Sequence, residues 1–174
     1  LGFSYTGSMD VLETILRYDY FWTKIRVQGG AYGAFTQISR VGTLFFSSYR
    51  DPNLKETLDV FDKTADYLAS FDVSDREMVK FIIGTISTLD VPLTPQLKGS
   101  VAQDRFFRQL TDADRQKTRD EVLATRQEEI RALAAVVDTC MKENILCVFG
   151  NEEKLKENAG LFGGLLHALG SAAD

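Results

Sequence analysis

The sequence predicts an α+β fold in which an antiparallel sheet is backed by a layer of helices, giving a two-layer domain. Residues 31–39 and 43–49 alternate between apolar and polar side chains around a short turn, which is typical of a β-hairpin. Elsewhere apolar residues recur every three to four positions, which is typical of helices that bury one face. With 44% hydrophobic and 26% charged residues over 174 positions, the chain is long enough for one domain with a sizeable core.

The first helix is predicted to begin at Ser8, which can act as its N-cap, and to end at Gly29 and Gly30, since glycine favours the position just past a helix. Its apolar surface is so wide that we expect the helix to be buried on more than one side. The main stripe consists of Val11, Ile15, Tyr18, Trp22 and Ile25. The hairpin follows directly, with its turn at residues 40–42.

Capping signals predict where the later helices begin. Asn53 with Glu56 predicts the start of a second helix, which carries its apolar stripe to Leu68. Ser74 with Glu77 predicts the start of a third. We expect further helices at 100–109, 111–124, 125–141 and 152–158, where Thr111 with Asp114 starts the second of these and the cap pair Thr125 and Glu128 starts the third. A short buried strand is expected at 145–149.

Three predicted strands are too few to cover about seven helices, so we expect one or more N-terminal strands to be missing from this sequence. The chain also begins at Leu1 instead of methionine, which favours a piece of a longer protein. We interpret residues 1–174 as a single domain. Residues 160–174 are rich in glycine and alanine, and we interpret them as a docking segment or a loose tail.

The net charge of −5 argues against a surface for nucleic acid or anionic membrane, because both would repel the chain. It leaves open a local basic lining inside a cavity. No apolar run approaches the roughly 20 residues that span a bilayer. Cys140 and Cys147 fit no metal or redox spacing and are interpreted as buried free thiols, which favours a reducing compartment, so we expect a cytoplasmic protein.

Charges alternate along residues 112–131, with little apolar surface between them. A solvated helix face is the favoured interpretation, and a polar wall of an enclosed chamber is the alternative. His167 is the sole histidine, and one imidazole cannot by itself form a metal site or a Ser-His-Asp triad.

The most specific chemistry lies at the glycine bend, which we define as residues 29–33. Arg26 precedes the bend and Tyr32 lies within it. A guanidinium with five donors and a phenol with one are suited to holding peptide carbonyls or a developing oxyanion. The residues alone favour plainer roles, with Arg26 as a cation near a helix C-terminus and Tyr32 as a packed strand aromatic. A phosphate-binding loop is disfavoured because the glycines follow a helix instead of opening one.

The run from Lys24 to Phe35, continued by the Ser-Tyr-Arg-Asp-Pro-Asn of residues 48–53, resembles a known family. It is similar to the C-terminal half of the pitrilysin-type zinc metallopeptidases, also called insulinase-like or inverzincin peptidases, in their presequence-protease and falcilysin branch. The resemblance covers most of the chain. It implies the LuxS/MPP-like metallohydrolase fold, in which an antiparallel sheet is backed by helices.

The resemblance also implies roles for individual residues. Arg26 and Tyr32 would be catalytic, with Tyr32 donating to the oxyanion and Arg26 holding a neighbouring substrate carbonyl while a zinc-bound water attacks the peptide. Substrate contacts would come from Arg26, Gly29, Gly30, Tyr32 and Gly33. The family's zinc motif H-x-x-E-H is absent from these residues, so no metal ligand is expected in this chain. Zinc is expected in the absent N-terminal half, and the fragment alone is expected to be inactive.

The partners implied are that N-terminal half, or a separate zinc-bearing subunit, together with unfolded peptides as substrates. Neither nucleic acid nor membrane is expected as a partner. A second interpretation is a non-catalytic pitrilysin-like structural or assembly subunit, and a third is a subunit of a heterodimer with a zinc-bearing partner. The presence of both Arg26 and Tyr32 favours the catalytic interpretation, since a scaffold has no need of that pair.

Overall fold

A computed structural model describes residues 2–166 of the chain. The chain separates into two compact units, residues 1–142 and residues 143–174. The first unit contains the hairpin and the main helices, so the predicted α+β class is confirmed. That residues 1–174 form one domain and that N-terminal strands are missing both stay predictions.

The predicted hairpin is present. Strand β1 spans Gly33–Ile38 and strand β2 spans Leu44–Tyr49, and they pair antiparallel from Gly33 opposite Tyr49 to Ile38 opposite Leu44. One face of the hairpin packs on the core, chiefly through Phe46. The opposite face carries Phe35, Phe45 and Tyr49, all of them exposed. Within the described residues this is a two-stranded sheet.

Helix α1 spans Gly7–Ile15 and continues as wider π-helical turns over Leu16–Tyr20 and Trp22–Gln28. In the first of these the Phe21 N–H bonds the carbonyl of Leu16, five residues back. The start at Ser8 was wrong by two residues: the N-cap position is Thr6, and Ser8 lies inside the helix. The end at the two glycines is confirmed.

Seven further helices of the first unit surround α1. Their bounds are α2 Lys55–Asp62, α3 Thr64–Ala69, α4 Asp75–Leu89, α5 Pro95–Phe107, α6 Asp112–Ala124, α7 Gln127–Ala132 and α8 Ala134–Met141. The capping box of Ser74 and Glu77 is confirmed at the start of α4. A second box, of Thr111 and Asp114, starts α6 as the spacing predicts.

Two helix predictions were wrong. The single second helix is divided at Lys63 into α2 and α3, and its N-cap position is Leu54; the Asn53 side chain makes no capping bond and donates its amide to the carbonyl of Gly29. Residues 125–141 likewise form two helices, α7 and α8. The Thr125 hydroxyl donates to Glu121 O at 2.8 Å, so the N-cap falls on Arg126.

The core of the first unit is built around Phe21, which is fully buried. Its ring makes edge contacts with Phe46 of β2 and Phe61 of α2, at centroid distances of 5.0 and 5.2 Å. These pairs join the π-helical extension of α1 to the hairpin and to the helical layer. The helix that leads to the glycine bend is therefore held from two sides, as its wide apolar surface predicts. The predicted main stripe was wrong at Tyr18 and Trp22, which are 59% and 42% exposed, because the wider π-helical turns bring Phe21 to the buried face instead.

The second unit contains helix α9, Glu152–Glu157, and a 3₁₀ turn at Ala159–Leu161. The buried strand at 145–149 was wrong: this segment has no strand structure, and Ile145 and Phe149 are 93% and 78% exposed. A strand needs a neighbour to satisfy its backbone groups, and the described strands pair only with each other. Of the predicted tail, residues 167–174, including His167, lie outside the described part.

The prediction that both cysteines are buried was wrong, since Cys147 is exposed and Cys140 is half-buried. Among the helices of residues 2–166, none combines the length and the apolar character needed to cross a bilayer. The cytoplasmic location stays a prediction.

Candidate functional site

The glycine bend is fixed by its own backbone. Gly30 adopts the left-handed region with φ of +79°, and its N–H donates to the carbonyl of Arg26 at 3.0 Å. The Ala31 N–H reaches the carbonyl of Ile25 at 3.2 Å, one residue further back. Gly29 has no room for a side chain, since a Cβ there would lie 2.5 Å from the Ile25 carbonyl oxygen. The two glycines are therefore required by the turn itself.

The loop after β2 fastens the bend from the other side. Asn53 donates from its side-chain amide to the carbonyl of Gly29 at 2.5 Å. Asp51 holds that asparagine in place, accepting its backbone N–H at 2.9 Å and the Thr57 hydroxyl at 2.7 Å. This chain of hydrogen bonds ties the bend to the start of α2, so the bend cannot move independently of the helical layer.

Arg26 lies on the surface at the end of the π-helical extension. Its guanidinium stacks over the ring of Trp22, one turn earlier, with 4.1 Å from Cζ to the ring centroid. Within residues 2–166 it forms no ion pair. Stacking on an aromatic face holds the side chain while leaving its N–H donors available.

Tyr32 is 64% exposed, and its backbone N–H is shared between the carbonyls of Tyr49 and Arg50, at 3.1 and 3.3 Å. Its ring meets the Tyr49 ring edge-on at 5.9 Å. The Arg50 guanidinium lies 5.9 Å from the Tyr32 ring and 5.4 Å from the Tyr49 ring. In the described part of the chain the Tyr32 hydroxyl has no hydrogen-bond partner. The phenol is thus held by its ring while its donor stays free.

Gly33 is the third glycine of the bend and opens β1. A Cβ at this position would lie 2.8 Å from the ring of Phe35, which leans back over the strand. The same ring lies 5.8 Å from the guanidinium of Arg17. The absence of a side chain at Gly33 lets an aromatic surface begin immediately beside Tyr32.

The structure places the five predicted site residues on one short segment, but in two groups. Arg26, Gly30 and Tyr32 are exposed, whereas Gly29 is half-buried and Gly33 is buried. Arg26 is joined to Gly29 and Gly30 through its carbonyl, whereas Tyr32 is joined to the end of β2. Neither a hydrogen bond nor a ring contact links the Arg26 and Tyr32 side chains in the described residues. Their assignment as catalytic and substrate-binding residues stays a prediction.

Sequence reasoning missed the aromatic and cationic neighbours Trp22, Tyr49 and Arg50. Signals for all three were present. Trp22 lies four residues before Arg26, the spacing at which helical side chains meet. The hairpin register follows from the turn at 40–42 and places residues 49 and 50 beside the bend.

Among residues 2–166, no group of three or more His, Cys, Asp or Glu side chains lies in an arrangement that could hold a metal ion. Arg26 and the glycine bend supply a guanidinium, a phenol and backbone groups, none of which is among the Cys, His, Asp and Glu side chains that form zinc sites in proteins.

Comparison with known proteins gives one family match and several relatives. Residues 1–150 match the family model described as the PreP C-terminal domain. The chain is similar to Protein HypA of Clostridium perfringens, with 44% identity over 161 residues that cover 92% of this chain and 16% of that protein. It is 34% identical over 155 residues to Presequence protease 1, chloroplastic/mitochondrial, of Arabidopsis thaliana, covering 88% of this chain and 14% of that one. It is 30% identical over 128 residues to the mitochondrial presequence protease of Mus musculus, covering 74% and 12%. The chain thus spans less than a fifth of the length of these curated relatives.

Proposed function

Because the chain belongs to the PreP C-terminal domain family, we propose that it is the part of a peptidase that binds an extended peptide and stabilises charge on it. The relatives that carry the name presequence protease support a peptide as substrate. The observation that carries the proposal is an exposed phenol with a free hydroxyl, on the same short segment as an exposed guanidinium that has no carboxylate partner within the described residues.

Tyr32 is proposed to donate a hydrogen bond from its hydroxyl to the oxygen on which negative charge develops as the peptide bond is attacked. Arg26 is proposed to hold a neighbouring carbonyl of the same peptide through its N–H donors. Both side chains are held by ring contacts, with Trp22 and Tyr49 respectively, so little order has to be imposed on them when substrate arrives.

The three glycines of the bend are proposed to contact the peptide through their backbone. Gly30 is exposed, and without a Cβ its backbone groups can be approached closely. No group of side chains that could bind zinc is found among the described residues, and we propose that the metal is held by another part of the assembly. Alone, this chain is expected to cleave no peptide.

The test uses the longer polypeptide that contains this chain, assayed on a fluorogenic peptide. Tyr32→Phe removes one hydroxyl and should lower kcat by about 10² to 10³-fold, the usual cost of losing one oxyanion donor, with KM and thermal unfolding unchanged. Arg26→Gln should lower kcat/KM. The matched control is Arg76→Gln, because Arg76 is also exposed but lies on α4, away from the bend.

Cleavage by Tyr32→Phe within a few-fold of the unsubstituted enzyme would refute the role of the hydroxyl. The reading frame upstream of Leu1 gives a separate test. An H-x-x-E-H motif in the same polypeptide is expected. Its absence would leave the structural subunit or the heterodimer as the better interpretation.

A further inference from the structure

A second site lies outside the glycine bend, in a cleft of about 530 Å³ within the first unit. Its walls come from the C-terminal end of α4, from α5 and from α6, with Tyr5 and the hairpin turn at one side. Four arginines line it: Arg40, Arg105, Arg115 and Arg119. We call this feature the arginine cleft. Its volume is in the range of small-molecule sites.

The three carboxylates in the lining are already bound within the chain. Asp90 accepts two hydrogen bonds from Arg119, both at 2.6 Å, and Asp112 accepts one from Arg115 at 2.9 Å. Asp10 accepts the hydroxyl of Tyr5 and lies close enough to Arg40 for that cation to oppose the rise that burial causes in the Asp10 pKa. None of these lining acids forms an ion pair with Arg105.

The other two cations differ in their surroundings. Arg105 is half-buried, and its side chain forms neither an ion pair nor a hydrogen bond within the described residues. Arg40 is exposed, donates to the Thr118 hydroxyl, and lies 4.8 Å from the Tyr5 ring centroid; burial raises the pKa of Asp10, and the charge of Arg40 partly offsets that rise. A partly desolvated guanidinium without a counter-charge, such as that of Arg105, is costly, and a bound anion would relieve that cost.

We propose that the arginine cleft binds a small organic oxyanion carrying more than one negative charge, held by Arg105 and Arg40. The guanidinium fork matches the paired oxygens of carboxylate and phosphate groups. The lining carries four arginines and three carboxylates, so it has one positive charge in excess, whereas the whole chain has a net charge of −5.

A bound anion would also attach helix α5 to the rest of the first unit. None of the residues of α5 is buried, although the helix is 13 residues long and begins with a capped turn at Thr94. An anion bound between Arg105 on α5 and Arg40 on the hairpin turn would join α5 to the rest of the unit. Binding should therefore slow hydrogen exchange at the α5 amides, which burial does not protect.

The test measures binding to the 174-residue chain by titration calorimetry at low ionic strength, with citrate and inorganic pyrophosphate as separate probes. Saturable binding of either probe, with Kd below about 1 mM, is expected, and the stronger of the two shows whether carboxylate or phosphate is the preferred group. Arg105→Gln should weaken that binding by about tenfold or more, since a charge-assisted hydrogen-bond pair is lost. Arg105→Lys should recover part of it, because the charge remains but the fork does not.

Arg108→Gln is the matched control. Arg108 lies at the end of the same helix, is exposed, and pairs with Asp104 outside the cleft, so its loss should leave Kd unchanged. If neither probe shows saturable binding at concentrations up to about 10 mM, tenfold above the expected Kd, the proposal is overturned. It is also overturned if Arg105→Gln and Arg108→Gln weaken binding equally. Neither zinc nor peptide enters this experiment, so its outcome is independent of the function proposed for the glycine bend.

Discussion

Replacement of Gly29 by alanine tests whether the bend is held by steric necessity. Its φ of −82° and ψ of −19° are ordinary for any residue, so a lost glycine would normally stabilise the fold by restricting the unfolded chain. The added Cβ, however, would lie 2.5 Å from the Ile25 carbonyl oxygen, which is backbone and cannot swing aside. That carbonyl would have to move, and it accepts the N–H of Ala31 at 3.2 Å.

The expected free-energy change can be worked from these opposing effects. Overpacking against backbone costs about 1–3 kcal/mol and a lost hydrogen bond about 0.5–1.5 kcal/mol, whereas the entropic gain of alanine is about 0.4–1 kcal/mol. Gly29→Ala should therefore lower the free energy of unfolding by about 0.5–4 kcal/mol. Urea unfolding followed by circular dichroism measures this as a lower midpoint at constant slope.

Gly99→Ala is the matched control for the same chemical change. Gly99 lies inside helix α5, and a Cβ there would meet no atom outside that helix within 4 Å. Alanine at this position should raise stability by about 0.5–1 kcal/mol through helix propensity. If Gly29→Ala proved as stable as Gly99→Ala, the steric account of the bend would be refuted.

Three further substitutions test other contacts. Asn53→Ala removes the amide that holds the Gly29 carbonyl and should cost about 0.5–1.5 kcal/mol in urea unfolding; no change would mean that water replaces the amide fully. Phe21→Ala empties the centre of the aromatic core and should cost about 3–5 kcal/mol, so a loss below 1 kcal/mol would contradict the packing described. Burial raises the pKa of Asp10, so the folded state holds more protons than the unfolded state above the ordinary value of about 3.9. The stability that this group contributes is complete below that value and is lost as the pH rises through the folded pKa. Asp10→Asn should remove this contribution to the pH dependence of the free energy of unfolding. An unchanged pH dependence in the variant would contradict the role given to Asp10.

Local signals predicted the structure where the partner of a residue lies nearby in sequence. The capping boxes of α4 and α6 and the hairpin turn each depend on groups only a few residues apart, and all of these were confirmed. The end of the first helix at Gly29 and Gly30 was predicted for the same reason, since glycine can take the left-handed geometry found at Gly30.

Predictions failed where the decisive contact joins distant residues. Asn53 has the composition of a cap, yet its amide bonds Gly29, 24 residues earlier, and no local pattern reveals this. The segment 145–149 has the composition of a buried strand, but strand structure depends on a neighbour that the described residues do not supply. At the candidate site, the support that Arg50 gives to Tyr32 was missed because the two residues are 18 positions apart, although the predicted turn at 40–42 sets the register that brings them together.

The π-helical turns of Leu16–Tyr20 and Trp22–Gln28 have a consequence for chain length. Each such turn encloses one residue more than an α-turn between the same two ends. Deleting one residue from either segment would let ordinary α-turns close the same span, without disturbing Phe21 at the centre or the glycines beyond. The faces on which Trp22 and Arg26 project would then rotate, so the direction in which the guanidinium points depends on the wider turns.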